Sequence, residues 1–368
     1  MTWRSVLQKH WRSAVHWGVV SVAVGYLAWL VPGLAGQVVQ ATGPLEHLRW
    51  EWLAVSVLCG VSALVLYGEL HRQLLLVGGA RLPVATVQGI NFVENAVSTT
   101  VPVVGGAGGI VYAIDQLRRR RVDSALASWS VLVAGIVATL SLLVLGAVGL
   151  GLAGRVPLTL AVSLAVLIAL GAAGVWKLLT HPAVLRRGLR LPVVLSRWVP
   201  GVCPTCRRTW TERADEVSGR LSARIALLRP SAVRWLGLIT LAALTWVLDY
   251  LALASSVAAV GSPVPWGALL VGFLLVQGSI ALQIFPGGVG LAETSLLTLL
   301  LASDVAAAPA AASVLIYRSI TWLGLSLVGW AVYALWIHTA PLHLHRHPPE
   351  LTSARPPARA GRAASGQR

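Results

Sequence analysis

The sequence predicts an all-α, polytopic integral membrane protein with about six full transmembrane helices and two Gly/Pro-broken re-entrant hairpins. Three observations predict this class. Hydrophobic residues make up 56% of the 368 positions and charged residues only 11%. Several apolar runs reach the roughly 20 residues that a helix needs to cross a bilayer core. Two of those runs are cut in the middle by Pro and Gly. The formal charge of +16 does not call for nucleic acid, because positive charge in such a chain marks cytoplasmic loops.

The apolar segments fall at 14–36, 50–70, 84–117, 124–149, 157–178, 234–259, 266–303 and 309–337. The first follows Arg4, Lys9 and Arg12. It is longer than the apolar core of a signal peptide, so it is expected to be a retained helix with a cytoplasmic N-terminus. Segment 84–117 is cut by VPVVGGAGG at 101–109, and segment 266–303 by FPGGVG at 285–290. Each has a longer arm, a break, and a second arm too short to span alone. Each unit is therefore one kinked span or a re-entrant hairpin.

Charge decides between these two. With both units as hairpins, every Lys and Arg lies on the cytoplasmic side except Arg49, Arg155 and Arg318. Arg318 is left inside the membrane. With 84–117 as a single crossing, the Arg118–Arg121 block and the Arg-rich loop 179–233 move outside, against the positive-inside rule. The first hairpin is thus expected to enter from the cytoplasm and the second from outside. Both breaks precede similar helix starts, ASWSVLV at 127–133 and AAASVLI at 310–316. Together these make an inverted repeat a candidate architecture, as in transporters with a midplane site.

The expected organisation is a transmembrane domain over 1–338 and a disordered cytoplasmic tail over 339–368, rich in Pro, Ala and Arg. Loop 179–233 carries Val217, Leu221, Ile225 and Leu228 as an apolar stripe between Arg residues. That is a basic amphipathic helix for the inner leaflet, or an ordinary linker helix. Trp50, Trp52, Trp176, Trp235, Trp266 and Trp336 fall near segment ends, as an aromatic belt would. Cys203 and Cys206 have CxxC spacing, but zinc wants four ligands, so no metal or other cofactor is expected. No nucleophile–base pair or metalloprotease signature is present, so the chain is not expected to be an enzyme.

The candidate site residues cluster at the breaks. Backbone that leaves the helix at membrane depth survives only where protein or a wet cavity shelters it. Pro286 and Pro102 are expected as hinges, with Gly105 and Gly106 after the first. Gly287, Gly288 and Gly290 allow a tight reversal. The arm that starts near Gly290 offers free N–H groups to an anion such as a lipid phosphate, unless the glycines only pack a kink. Glu293 lies on its first turn. Arg318 is the expected partner of Glu293, with Asp249 as a second candidate, and one Arg shared by both is a third arrangement. That group is a static ion pair, or a grip on a phosphate that competes with the carboxylates. Glu94 and Asn95 are polar groups deep in the first hairpin. Thr99 and Thr100 are expected to bond backbone near Pro102, and Arg118–Arg121 anchor topology or recruit anionic lipid.

The run FPGGVGLAETS, its spacer and VLIYRSITWLG resemble the flippase-like membrane domain of lysylphosphatidylglycerol synthases, the multiple peptide resistance factor. The family segment P-x-GG-x-G-x-x-E, followed by a helix with a mid-membrane Arg, falls on Pro286, Gly287, Gly288, Gly290, Glu293 and Arg318. Here Pro286 abuts Gly287, and in the first half Ile110 and Val111 follow the glycines where the family often has a polar residue. TWVLDYLAL resembles the preceding family helix. The resemblance implies a stand-alone, bacterial flippase-like member without the soluble synthase domain, expected in the cell membrane, where the charge partition puts both termini on the cytoplasmic side. It implies transport of an anionic, aminoacylated or polyprenyl-linked lipid. The competing reading is a membrane scaffold partnering a lipid-modifying enzyme such as a glycosyltransferase.

The charge partition makes a direct prediction. In a background lacking Cys59, Cys203 and Cys206, single cysteines at Arg120 and Asp304 are expected to react with an impermeant maleimide from opposite sides of the membrane. Reaction of both from one side would contradict the opposed hairpins.

Overall fold

The computed structural model describes residues 48–101, 105–179, 231–282 and 286–337. The first apolar segment, Pro102, most of loop 179–233 with its amphipathic stripe and CxxC pair, and the tail lie outside the described residues. Every regular element among them is helical: α1 Trp50–Val77, α2 Val84–Thr100, α3 Gly105–Arg119, α4 Ser124–Leu152, α5 Leu158–Leu179, α6 Ala232–Ala259, α7 Trp266–Leu282, α8 Leu291–Leu301, α9 Ala307–Arg318 and α10 Leu325–Val332. A 3-10 turn, Pro286–Gly288, joins the second broken pair, and a π-helical stretch, Ser319–Gly324, joins α9 to α10. The protein is an all-α, multi-pass membrane protein, as its composition predicts.

Four described helices are long and apolar enough to cross a membrane: Trp50–Val77, Ser124–Leu152, Ala232–Ala259 and the continuous Ala307–Leu335. The other apolar helices, Leu158–Gly174, Trp266–Ala281 and Leu291–Leu301, are shorter. The caps follow local chemistry. Asp123 accepts from the N–H groups of Ala125 (3.1 Å) and Leu126 (3.3 Å) and so starts α4 directly after the Arg block. Ser231 does the same for α6 through the Arg234 N–H.

The two broken segments are helical hairpins. An α2 of 17 residues rises only about 25 Å, less than a hydrocarbon core of about 30 Å. The arms α2 and α3 pack together, with Gly108 against Val97 and Gly109 against Glu94. Arms α7 and α8 pack likewise, Gly272 lying against Leu296 and Leu299. Each hairpin has its own apolar core. Val87, Ile90, Leu117 and Val131 form one, and Leu253, Phe273, Leu296 and Tyr317 belong to the other.

Helices α1 and α6 bind the two halves along their length. The Ser56 hydroxyl donates to Ala252 O (2.8 Å) and meets Ser256 Oγ (2.9 Å), while the Arg49 N–H donates to Ala259 O (2.8 Å). These pairings run antiparallel. Small residues at the seam, with Gly60 opposite Ala252, let the backbones approach. The order helix, hairpin, long helix therefore occurs twice, as α1–α2/α3–α4 and α6–α7/α8–α9/α10, and the leading helices point in opposite directions.

Of the expected belt, Trp50 and Trp266 are exposed, and Trp176 stacks edge-on with Trp235 at 5.1 Å between centroids. Leu160, Leu164 and Leu167 on α5 face outward, as lipid contact requires.

Helix α10 presses against the first hairpin where Gly329 meets the Phe92 carbonyl and the Ala96 methyl. A side chain at 329 must push α2 away. Gly329→Leu is expected to lower stability by about 1–3 kcal/mol, or to prevent folding, by overpacking. Thermal unfolding in detergent measures it.

Candidate functional site at the hairpin tips

The site grows from a break in α7. After Pro286 the chain reverses through Gly287 (φ 58°) and Gly288 (φ 69°) and enters α8 at Gly290 (φ 88°). Residues with a Cβ avoid this left-handed region. At Gly287 space is lacking too, because a Cβ would strike the Trp322 indole.

Helix α8 caps itself. Glu293, at its third position, accepts from the Gly290 N–H through Oε2 at 2.6 Å. Its other oxygen, Oε1, accepts from Arg318 Nε at 2.6 Å. Arg318 Nη2 donates to the Gly287 carbonyl at 2.6 Å. One guanidinium thus ties both sides of the turn. The pair is sealed, with side chains only 5% and 11% exposed. The Trp322 ring covers the cation at 5.4 Å from centroid to Cζ. The anion at this helix start is therefore the chain's own carboxylate, where the sequence alone offered free N–H groups.

Asp249 plays a different part. It accepts from Tyr317 OH (3.0 Å) and from Gln277 Nε2 (2.9 Å). The structure thus pairs Arg318 with Glu293, and Asp249 is held by neutral donors. Tyr317 and Arg318 are consecutive on α9, so their side chains leave the helix about 100° apart and engage different neighbours.

Trp322 escapes sequence reasoning. Its indole N–H donates to the Thr99 carbonyl at 3.2 Å, at the end of α2. It therefore joins the tips of the two hairpins. Thr99 Oγ1 also meets Ser326 Oγ (2.9 Å), and Trp330 Nε1 donates to Thr100 Oγ1 (3.1 Å). Both threonines bond back to the backbone, Thr99 to Asn95 O (2.7 Å) and Thr100 to Ala96 O (2.6 Å). The only sequence signal for this lacing was the Trp near the mid-membrane Arg. The π-helical Ser319–Gly324 lies directly after Arg318, a widening often found at functional sites.

Gly105 and Gly106 begin α3, and Gly105 lies against the carbonyls of Val97 and Ser98. Glu94 is buried in the first hairpin, and Asn95 is half-buried beside it. Among the described residues, neither side chain hydrogen-bonds to Arg318, Glu293 or Trp322. Asp115 pairs with Arg119 (2.6 Å) at the exposed end of α3. A cleft of about 690 Å³ lies elsewhere, between the end of α1 and the start of α6, lined by Gln73, Arg234 and Thr240. Among the described residues no group of His, Cys, Asp and Glu could hold a metal.

Fold and site together define a polytopic membrane domain built around a buried ion pair at a hairpin tip. The sequence matches the lysylphosphatidylglycerol synthase TM region over residues 16–329, and the chain belongs to that family. No curated protein matches it.

The ion pair makes a testable prediction. Arg318→Ala leaves Glu293 buried without its cation and is expected to cost about 3–5 kcal/mol of stability. Arg318→Lys is expected to restore part of this only, since one ammonium lacks the fork that serves a carboxylate and a carbonyl together. Chemical denaturation in mixed micelles ranks wild type, Lys and Ala in that order.

Proposed function

We propose that the chain moves a lipid with an anionic head, aminoacylated or isoprenoid-linked, between the leaflets of the cell membrane. The observation that carries this reading is the position of Arg318, a sealed guanidinium where the tips of two broken helical hairpins meet. A phosphate presents acceptor oxygens to a guanidinium as Glu293 does, so it competes for the same donors. The amides near Gly288 become available when the turn opens. The head needs such replacements for its water, because a bare phosphate in hydrocarbon is prohibitive. The tails stay in lipid, so no large closed pocket is required.

The two antiparallel units support an inverted-repeat reading in which one hairpin opens to each side. The Arg118–Arg121 block supports a cytoplasmic mouth for the first hairpin and cytoplasmic termini. On this reading the chain breaks no covalent bond and needs no cofactor.

The test is leaflet exchange of fluorescent anionic and isoprenoid-phosphate lipids in liposomes, read as label protected from external dithionite. Wild type is expected to remove the protected fraction. Gly288→Leu is expected to fall to the rate of empty liposomes, because a Cβ there would meet Ser279 Oγ at 2.6 Å in a backbone of positive φ. Arg318→Lys, if folded, is expected to slow exchange. If wild type matches empty liposomes across the panel and no lipid co-purifies, the chain is a scaffold for a lipid-modifying enzyme instead.

A further inference from the structure

The second hairpin satisfies its charges; the first does not. Among the described residues, the buried side-chain atoms without a hydrogen-bond partner are Gln88 Oε1, Glu94 Oε2, Asn95 Nδ2 and Tyr112 OH, and all four belong to α2 and α3. Native proteins leave few such atoms, and each calls for an explanation. Glu94 is the most demanding of them. It is 8% exposed and lies in an apolar arm.

Among the described residues, none around it supplies a counter-ion. From α1, Tyr67 faces it. From α3, Gly109 lies against it, so that a Cβ there would stand 3.4 Å from the Glu94 Cγ. The charges of that helix, Asp115, Arg118 and Arg119, stand at its far end, where Asp115 and Arg119 pair with each other. Helix α10 meets α2 through Gly329 and carries no charge, and Tyr333 beyond it stacks on Tyr112. Arg318 at the tip is engaged by Glu293 and Gly287. On α1, Glu69 is paired with Arg72 at 2.6 Å, and His71 meets Ser130 at 3.1 Å.

An ionised carboxylate with no cation in this medium is costly. A proton on it removes the charge. We infer that Glu94 is a proton-binding site of the first hairpin, loaded while α2, α3 and α1 are packed and emptied to water when the hairpin opens. The balance is one proton taken from bulk water on closing and returned on opening. The site stands on the first hairpin alone, whether or not the chain moves lipid.

The experiment is infrared spectroscopy of the full chain in bilayers, comparing wild type with Glu94→Gln at neutral pH and then across a rise in pH. The expected result is a protonated-carboxyl stretch in wild type that is lost in Glu94→Gln and fades as pH rises. Glu94→Asp, which keeps the acid if the amide fails to fold, is expected to move that band. Loss of a carboxylate band in Glu94→Gln instead would mean an ionised Glu94 with a bound cation and would overturn the site. A spectrum unchanged in both variants would overturn it as well.

Discussion

The bond between Arg318 and Glu293 is the constraint on which the rest of the structure hangs. Two charges in an apolar helical body are tolerable only when each is fully engaged. Here the guanidinium takes a carboxylate and a carbonyl, and the carboxylate also closes the N-terminus of α8. Those demands dictate the turn. The carbonyl of Gly287 must point at Arg318, and the Gly290 N–H must point back at Glu293. Only backbone of positive φ does both within so few residues, hence three glycines. Trp322 then closes the lid on the cation and ties it to the end of α2.

The two hairpins share a plan and differ in how their polar groups are met. In the second, charged and hydroxyl groups find partners within a few ångströms. In the first, the glycines give close packing, with Gly109 against Glu94, yet buried donors and acceptors remain open. A satisfied polar network fixes one arrangement, and an unsatisfied one favours any state that brings in water, a proton or a ligand. The Trp322–Thr99 bond carries a disturbance of the ion pair to the first hairpin.

Much of this is written locally in the sequence. Long apolar runs fix helices at membrane depth, since hydrocarbon leaves the backbone no other partner. The glycines at 287, 288 and 290 mark the second reversal, because residues with a Cβ avoid a backbone of positive φ. Glu293, three residues after Gly290, had to stand on the first turn of α8. Arg318, alone in its apolar run, had to find a carboxylate. The family resemblance rested on these same residues, and the match over 16–329 establishes it.

Which carboxylate Arg318 took was a tertiary decision. Asp249 and Glu293 are both distant from it in sequence, and the choice depended on which face of α9 turned to α6 and which to the 3-10 turn. Tyr317 faces Asp249, and Arg318 faces Glu293. The role of Trp322 was equally hidden, since its partner Thr99 lies 223 residues away. So was the antiparallel seam of α1 and α6, whose serines look like any others in an apolar run until two helices meet. Periodicity and breakers are properties of neighbours along the chain and can be read from it. The pairing of polar groups across helices depends on rotation and depth, which only packing sets.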